Sequence, residues 1–246
     1  MTMAQMIKDL VKKVLHLFRL EVHKIPTSEQ IKRLTKAEMK QLWWLRDLQI
    51  KTVLDIGANT GQFAQGICEL LPGAMIYSFE PLPDCYEELV TDFADIPQFK
   101  GFNLALGNET GKIKINHNEF SPSSSLLPMA ELHKETFTFA QKEVVQEVSI
   151  ARLDDVAGSL ELREPILIKV DVQGFEDRVI DGGIGVFKQA SVIIIELSIE
   201  QLYEGQLLFD AIYQTLKDLG FQYRGNYAQA HNADGRILYV DGIFTK

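Results

Sequence analysis

Lys51-Thr52-Val53-Leu54-Asp55-Ile56-Gly57-Ala58-Asn59-Thr60-Gly61 is the stretch that decides the architecture. Its apolar run, Val53 to Ile56, breaks at Gly57, and beyond Gly61 apolar residues return at helical spacing, so it reads as strand, tight turn and helix. Gly57 and Gly61 tolerate positive φ and let a ligand approach the backbone with no Cβ in the way. The first N–H groups of the following helix face the same spot. Twenty-five residues after Asp55, a second short strand, Met75-Ile76-Tyr77-Ser78-Phe79, ends in Glu80-Pro81. A carboxylate at the end of a second parallel strand accepts hydrogen bonds from both hydroxyls of a ribose. Together these features predict a nucleoside-like ligand.

Spacing narrows the choice of nucleoside. A dinucleotide site reads G-x-G-x-x-G, whereas this turn reads Asp55-x-Gly57-x-Asn59-x-Gly61, and no Gly-Lys-Ser/Thr follows to cradle a phosphate. Asp55 repels pyrophosphate but serves, directly or through water, a positively charged amino-acid group. The pattern resembles motif I of class I S-adenosylmethionine-dependent methyltransferases.

At 246 residues and 46% hydrophobic content the chain can bury one substantial core, and α/β folds of this size are commonly one domain. The net charge of -9 argues against a nucleic-acid substrate, because phosphate backbones are held by clustered Lys and Arg, and directs attention to small or neutral acceptors. Cys68 and Cys85 fall in predicted helices and make neither a metal spacing nor a disulfide framework, which fits a reducing cytoplasm. No run approaches the roughly twenty apolar residues of a membrane span, and no signal-peptide cleavage pattern is visible. A cytoplasmic location is the expectation.

Toward the N-terminus, Met6, Ile7, Leu10, Val11, Val14, Leu15 and Phe18 alternate with Lys8, Lys12, Lys13, His16 and Arg19. Residues 3 to 24 therefore predict a basic amphipathic helix, suited to packing on its own domain, to a homodimer contact, or to peripheral contact with an anionic membrane. A second helix is expected from Thr35, whose side chain can cap it with Glu38 three residues on. It should carry Leu42, Trp43, Leu45 and Leu48 toward the sheet and cover the mouth of the cofactor site. Residues 1 to 50 thus form an N-terminal helical extension on a domain spanning 51 to 246.

From Thr52 the pattern alternates strand and helix, the mark of a parallel sheet with helices on both faces. Strands are predicted at 52–56, 75–80, 99–105, 166–171 and 192–197, and helices at 61–71, 83–94, 174–182 and 207–219. Beyond Gly220, strands at 221–224 and 236–244 should pair antiparallel through a loop at 226–235. The fold class is α/β: a doubly wound seven-stranded sheet, mostly parallel with an antiparallel C-terminal strand, in three αβα layers. The interval at about 107 to 150 breaks the alternation. Short strands at 112–117 and 144–150 flank Ser121-Pro122-Ser123-Ser124-Ser125-Leu126 and a helical stretch at 128–143. An insert of that length is usually functional, here a lid or substrate wall that sets Ser124 or Ser125 beside the cofactor, with a plain solvated loop as the alternative.

The later stretch Ile166-Leu167-Ile168-Lys169-Val170-Asp171-Val172-Gln173-Gly174-Phe175-Glu176 is an apolar strand ending in a carboxylate, and Val192-Ile193-Ile194-Ile195 ends in Glu196. Two neighbouring strands deliver Asp171 and Glu196 to one rim. With Val53 to Gly61, Phe79-Glu80-Pro81, Asn103-Leu104-Ala105-Leu106-Gly107, Arg152-Leu153-Asp154-Asp155 and Ile195-Glu196, this ordered set resembles the FkbM family of methyltransferases over about residues 50 to 225. The resemblance implies a Rossmann-like domain, S-adenosylmethionine as donor with S-adenosylhomocysteine as product, and O-methylation of a hydroxyl on a sugar, glycan or secondary metabolite. Carried over by position, Asp55, Gly57, Asn59 and Gly61 line the methionine and ribose, Glu80 with Pro81 takes the ribose, Asn103 and Ala105 hold the adenine side, and Asp171 is nearest the methyl. Asp171, Glu196 and His231 are the candidate bases, the imidazole being best matched to neutral pH. Two rival readings are a Mg²⁺-assisted enzyme using Asp171, Glu176 and Glu196, and a non-catalytic cofactor-binding scaffold.

Overall fold

A computed structural model describes residues 39–118, 124–136 and 143–246. The helix expected at residues 3 to 24, the Thr35 cap, Ser121 to Ser123 and part of the helical stretch at 128–143 lie outside the described residues.

The strands are β1 (Thr52–Ile56), β2 (Met75–Phe79), β3 (Phe99–Phe102), β4 (Ala105–Leu106), β5 (Gly111–Asn118), β6 (Glu143–Ala151), β7 (Ile166–Val170), β8 (Ala190–Ser198), β9 (Gln222–His231) and β10 (Ile237–Thr245). The helices are α1 (Gln62–Leu70), α2 (Pro83–Asp92), α3 (Glu131–Thr136), α4 (Leu153–Ala157), α5 (Glu176–Gly182), α6 (Ile184–Phe187) and α7 (Phe209–Asp218). Seven strands form one sheet in the order β3-β2-β1-β7-β8-β10-β9. The first five are parallel, and β10 runs antiparallel to both of its neighbours. The mostly parallel sheet read from the alternation is the observed one, and the fold is Rossmann-like, as the resemblance implies. Strand order reverses between β1 and β7, so the crevice beyond their carboxyl ends is the switch point where doubly wound sheets bind ligands.

β1 and β7 are buried along their whole length, because helices cover both faces and a central parallel strand then needs apolar residues on both. Leu54, Ile56, Ile168, Val170, Ile193 and Ile195 face a core completed by Val179, Ile180, Phe187, Ile212 and Leu216, from α5, α6 and α7. Val53, Leu167, Val192 and Ile194 face the opposite core with Phe63, Ala64, Ile67 and Leu89, from α1 and α2. On that second face, Asp55 and Lys169 interrupt an otherwise apolar set; they are register partners on adjacent strands.

Three local expectations are corrected. The predicted strand at 99–105 divides: β3 stays in the main sheet, and β4 joins β6 and β5 in a second sheet of three strands. Between them the Asn103 amide donates to the carbonyls of Glu80 and Pro81 instead of extending the ladder. Residues Lys40–Arg46 form a 3-10 helix, whose period of three residues puts Leu42 and Leu45 on one face. Trp43 is therefore 62% exposed and Leu48 38% exposed, and the element packs on α1, with Arg46 Nε donating to the Leu70 carbonyl, rather than sending four side chains to the sheet. Finally, β9 runs through most of the expected 226–235 loop; the turn is closed by Asn232, whose side-chain oxygen accepts the N–H groups of Asp234 and Arg236. Among the described residues no helix is long and apolar enough to cross a membrane.

Candidate active site

The site divides along the carboxyl edge of the sheet. On the β1–β2 side, the turn after β1 takes positive φ at Gly57 (80°), Asn59 (48°) and Gly61 (89°). Gly57 is obligatory for a second reason: a Cβ there would lie 1.8 Å from the Asp171 carbonyl oxygen, where the ends of β1 and β7 meet. The turn is held by its own hydrogen bonds. Gly57 and Ala58 N–H donate to the Phe79 carbonyl at 3.0 Å, and Thr60 N–H donates to the Asn59 side chain at 2.8 Å.

Glu80 ties that turn to the next one. Its Oε2 accepts Asn59 N–H at 2.8 Å and its Oε1 accepts Leu82 N–H at 2.9 Å. A carboxylate has about four acceptor positions, so roughly two remain for a ligand. Burial pushes its pKa up to about 7, against the pull of the Leu82 and Asn59 N–H groups. Asp55 is fully buried. One of its oxygens accepts the Ser78 hydroxyl at 3.1 Å, while Oδ1 has no hydrogen-bond partner among the described residues. Burial raises Asp55 to about 6, opposed by Lys169 and Ser78.

On the β7–β8 side, Asp171 is the carboxylate that reaches solvent, with 31% of its side chain exposed. Lys169 Nζ donates to its Oδ2 at 2.8 Å and Gln173 Nε2 to its Oδ1 at 2.7 Å. The same Gln173 nitrogen lies 3.3 Å from Glu196 Oε2, so one amide bridges both carboxylates. Tyr203 hydroxyl donates to Gln173 Oε1 at 2.8 Å and stands 3.3 Å from His133 Nε2. Ser125 hydroxyl donates to the Gln173 main-chain oxygen at 2.6 Å. Gln173 itself sits at φ 56°, a conformation that costs a non-glycine residue free energy and persists where surroundings over-determine it. Glu176, buried at the start of α5, accepts the N–H groups of Val172 and Gly174.

The electrostatics follow from five carboxylates and one cation. Burial alone would lower the Lys169 pKa, but Asp171, Asp55 and Asp241 outweigh it and hold the ammonium above its ordinary value. Burial, then Asp171 and Glu176, hold Glu196 well above the usual carboxylate range. Glu176 is raised by burial and, secondarily, by Asp171. His133 is lowered to about 4 by burial, which leaves it neutral at pH 7.

Of the predicted site residues, Asp55, Gly57, Asn59, Gly61, Glu80 and Pro81 gather around the first turn, and Asp171 and Glu196 around the second. Ser125 is buried and reaches the second group through Gln173. Ala105 is packed in a small core with Leu82, Ile150 and Phe175, and Asn103 spends its amide on the Glu80 turn. His231 is not brought in. It is exposed near the end of β9, and strand spacing and rise place it about 14 Å from Glu196. Sequence reasoning missed the roles of Lys169, Gln173, Tyr203 and His133. A lysine in an apolar strand was a visible signal; Tyr203 and His133 are remote in sequence and carried none. Among the described residues no three carboxylate, histidine or cysteine side chains converge as metal ligands.

Residues 55–223 match the model of the methyltransferase FkbM domain. The chain belongs to the FkbM methyltransferase family. It is 30% identical over 175 residues to the 2-O-methyltransferase NoeI of Sinorhizobium fredii, covering 67% of this chain and 70% of that protein. It is 25% identical over 181 residues to the hexuronic acid methyltransferase AglP of Haloferax volcanii, again covering 67% and 70%. Among solved structures, the chain trace is similar to that of Aeropyrum pernix fibrillarin, with a TM-score of 0.48 at 12% identity, over 86% of this chain and 76% of that one. As an FkbM-family protein, the chain is a methyltransferase of the S-adenosylmethionine-dependent type.

Proposed function

We propose that this FkbM-family chain transfers a methyl group from S-adenosylmethionine to a hydroxyl of a sugar, glycan or secondary metabolite. The observation that carries the reading is the division of the switch-point edge into a turn with vacant carboxylate acceptor positions and a neighbouring pair of bridged carboxylates. The relatives are named a 2-O-methyltransferase and a hexuronic acid methyltransferase, which favours a sugar hydroxyl.

Bound S-adenosylmethionine supplies an electrophilic methyl carbon, so the protein's task is mainly positioning. The vacant positions of Glu80 suit the two ribose hydroxyls. The unsatisfied oxygen of Asp55 suits the cationic amino end of the methionine, directly or through water. Gly57, Asn59 and Gly61 shape the floor under both, and Asn103 with Pro81 holds the Glu80 turn in place, while Ala105 packs behind it. Across the edge, Asp171 presents a partly exposed carboxylate to an acceptor hydroxyl, with Glu196 behind it, and Ser125 and Tyr203 fix the Gln173 bridge. Lys169 and Gln173 each donate to one oxygen of Asp171, which by the same count leaves about two acceptor positions toward the acceptor hydroxyl.

The test is incubation of the full chain with methyl-labelled S-adenosylmethionine and a panel of free sugars, uronides and oligosaccharides, followed by mass spectrometry. A product heavier by one methyl and stable to mild base supports an ether at a hydroxyl. Label lost in mild base marks a carboxyl ester and would overturn the reading.

A further inference from the structure

Among the described residues, Lys169 is the buried cation on the β7–β8 side, and its ammonium pairs with Asp171. Glu196 on β8 is faced by Asp171 and Lys169 from β7 and its turn, by Glu176 from α5, and by Asp241 from β10. Tyr203, in the segment after β8, is held near them by Gln173 and His133, with Tyr239 on β10 close by. Asp55 faces Lys169 from β1, fully buried and with an oxygen unsatisfied among the described residues. Asp55, Glu176 and Glu196 are buried, and buried carboxylates packed this closely do not all ionise readily. A cation held above the β1 turn relieves this, and that is where the proposed donor brings a sulfonium. The product brings the same amino and carboxyl groups with a neutral sulfur.

Resting on the donor-site reading above, we propose that the Asp171–Glu196 pair, tied together by Gln173, trades proton occupancy for the sulfonium charge, carrying a proton less often with S-adenosylmethionine bound than with S-adenosylhomocysteine bound. The step balances. As the acceptor oxygen gains the methyl group, the carbon–sulfur bonding electrons return to sulfur and the hydroxyl proton passes to the pair. The cluster gains the charge that the sulfur loses, so cluster and ligand together carry the same net charge before and after transfer. Because the two carboxylates are bridged, the proton belongs to the pair and not to either residue alone. Two strand spacings separate the β1 turn from Glu196, roughly 10 Å. At an effective dielectric of about 20, a unit charge at that distance changes proton affinity by roughly 15-fold.

Calorimetric titration of the full chain with each ligand, between pH 5.5 and 8.5 and in buffers of differing ionisation enthalpy, tests this without any acceptor. The preference for S-adenosylmethionine over S-adenosylhomocysteine should rise by roughly 15-fold from the acid to the alkaline limit, and at the midpoint of that rise the donor should release about half a proton more than the product. The sulfonium also lowers the donor's own ammonium pKa, so the ratio is taken after dividing out the titration of each free ligand, measured separately. Glu196→Gln, or Asp171→Asn if the first variant is poorly folded, should flatten the dependence. A wild-type ratio constant within twofold overturns the proposal, as does an unchanged pH dependence in a folded Glu196→Gln variant. Failure of the folded wild type to bind either ligand is a different result, which overturns the donor-site reading and the proposal with it.

Discussion

The two halves of the catalytic edge are built on opposite plans. The β1–β2 half is local: Gly57, Asn59, Gly61 and Glu80 lie within 24 residues, and Glu80 binds the turn by backbone N–H groups that any side chain would have supplied. The β7–β8 half is assembled from afar. Gln173 is held by Asp171 beside it, by Glu196 from the next strand, by Ser125 from the insert and by Tyr203 beyond β8. A locally built half has few ways to vary without losing the turn. A half drawn from four segments can be re-cut by changing any one of them, which suits the side of the site that must distinguish acceptors.

If the first half is a rigid turn, its largest sensitivity is steric. Gly57→Ala adds a Cβ within 1.8 Å of the Asp171 carbonyl at a φ of 80°, and no side chain is available to move aside. Stability should fall by about 3 kcal/mol or more, with donor binding lost; urea denaturation and calorimetry check both. A variant of near wild-type stability would show that the two halves are not in contact through this carbonyl.

The second effect is on pH. Asp55 rises from 3.8 to about 6 and Glu80 from 4.5 to about 7 in the folded chain, both chiefly through burial. Between the unfolded and folded values the native state holds protons that the unfolded chain has released. Their stabilising contribution is thus complete below about pH 4 and is lost as pH rises through 6 to 7. Glu176 and Glu196 act in the same direction. His133, lowered to about 4 by burial, acts oppositely, since the unfolded imidazole takes up a proton that the folded one refuses. Four carboxyls against one imidazole leave about three protons that the folded chain keeps and the unfolded one releases, so at about 1.4 kcal/mol per proton the ligand-free protein should lose up to about 4 kcal/mol per pH unit between pH 4.5 and 6.5. Denaturation curves that are flat or rise across that window contradict the cluster's burial.

Glu80→Ala should come third. It removes the charged acceptor for the ribose, a loss of about 1.5 to 3 kcal/mol and thus roughly ten- to hundredfold in donor affinity. It also releases Asn59 and Leu82 N–H, so Glu80→Gln, which keeps one acceptor oxygen, should lose less. Equal affinity in a folded Glu80→Ala variant would remove the first half from donor binding.

How much was legible follows the same division. The strand–turn–helix at 51 to 61, the Glu80 strand end and the Asp171 and Glu196 strand ends were readable because central parallel strands are apolar runs and a carboxylate ending one is conspicuous. The second sheet hid β4, since two residues carry no periodicity of their own. The start of β9 looks like a turn in sequence, at Gly225 and Asn226, although at a sheet edge a strand tolerates such residues and pairs with bulges. Tyr203 and His133 were invisible for a deeper reason: their function exists only once the insert and the segment after β8 are brought against Gln173.

Tyr203→Phe tests that assembly by deleting one oxygen. Gln173 Oε1 loses its donor, and the amide is then free to turn its nitrogen away from the carboxylates. Turnover should drop about tenfold, comparable to one lost hydrogen bond, with donor affinity within twofold of wild type. Equal losses in both would mean that Tyr203 supports the fold and not the carboxylate pair.

The smallest effect is expected at His231, the group whose intrinsic basicity best suits neutral pH. Basicity is of no use without reach: a general base must come within hydrogen-bond distance of its proton, directly or through one water. His231 is exposed near the end of β9, its ring nitrogen paired with Gln229 at 3.2 Å, and about 14 Å from Glu196 by strand spacing and rise. β10 stands between the two, presenting Asp241 opposite Glu196. His231→Ala should therefore leave turnover and its pH profile within twofold of wild type, whereas the carboxylate variants flatten the ligand-preference profile. A tenfold fall in turnover at unchanged donor affinity would show instead that the acceptor lies across β10, and the second half of the site would have to be redrawn around the outer strand.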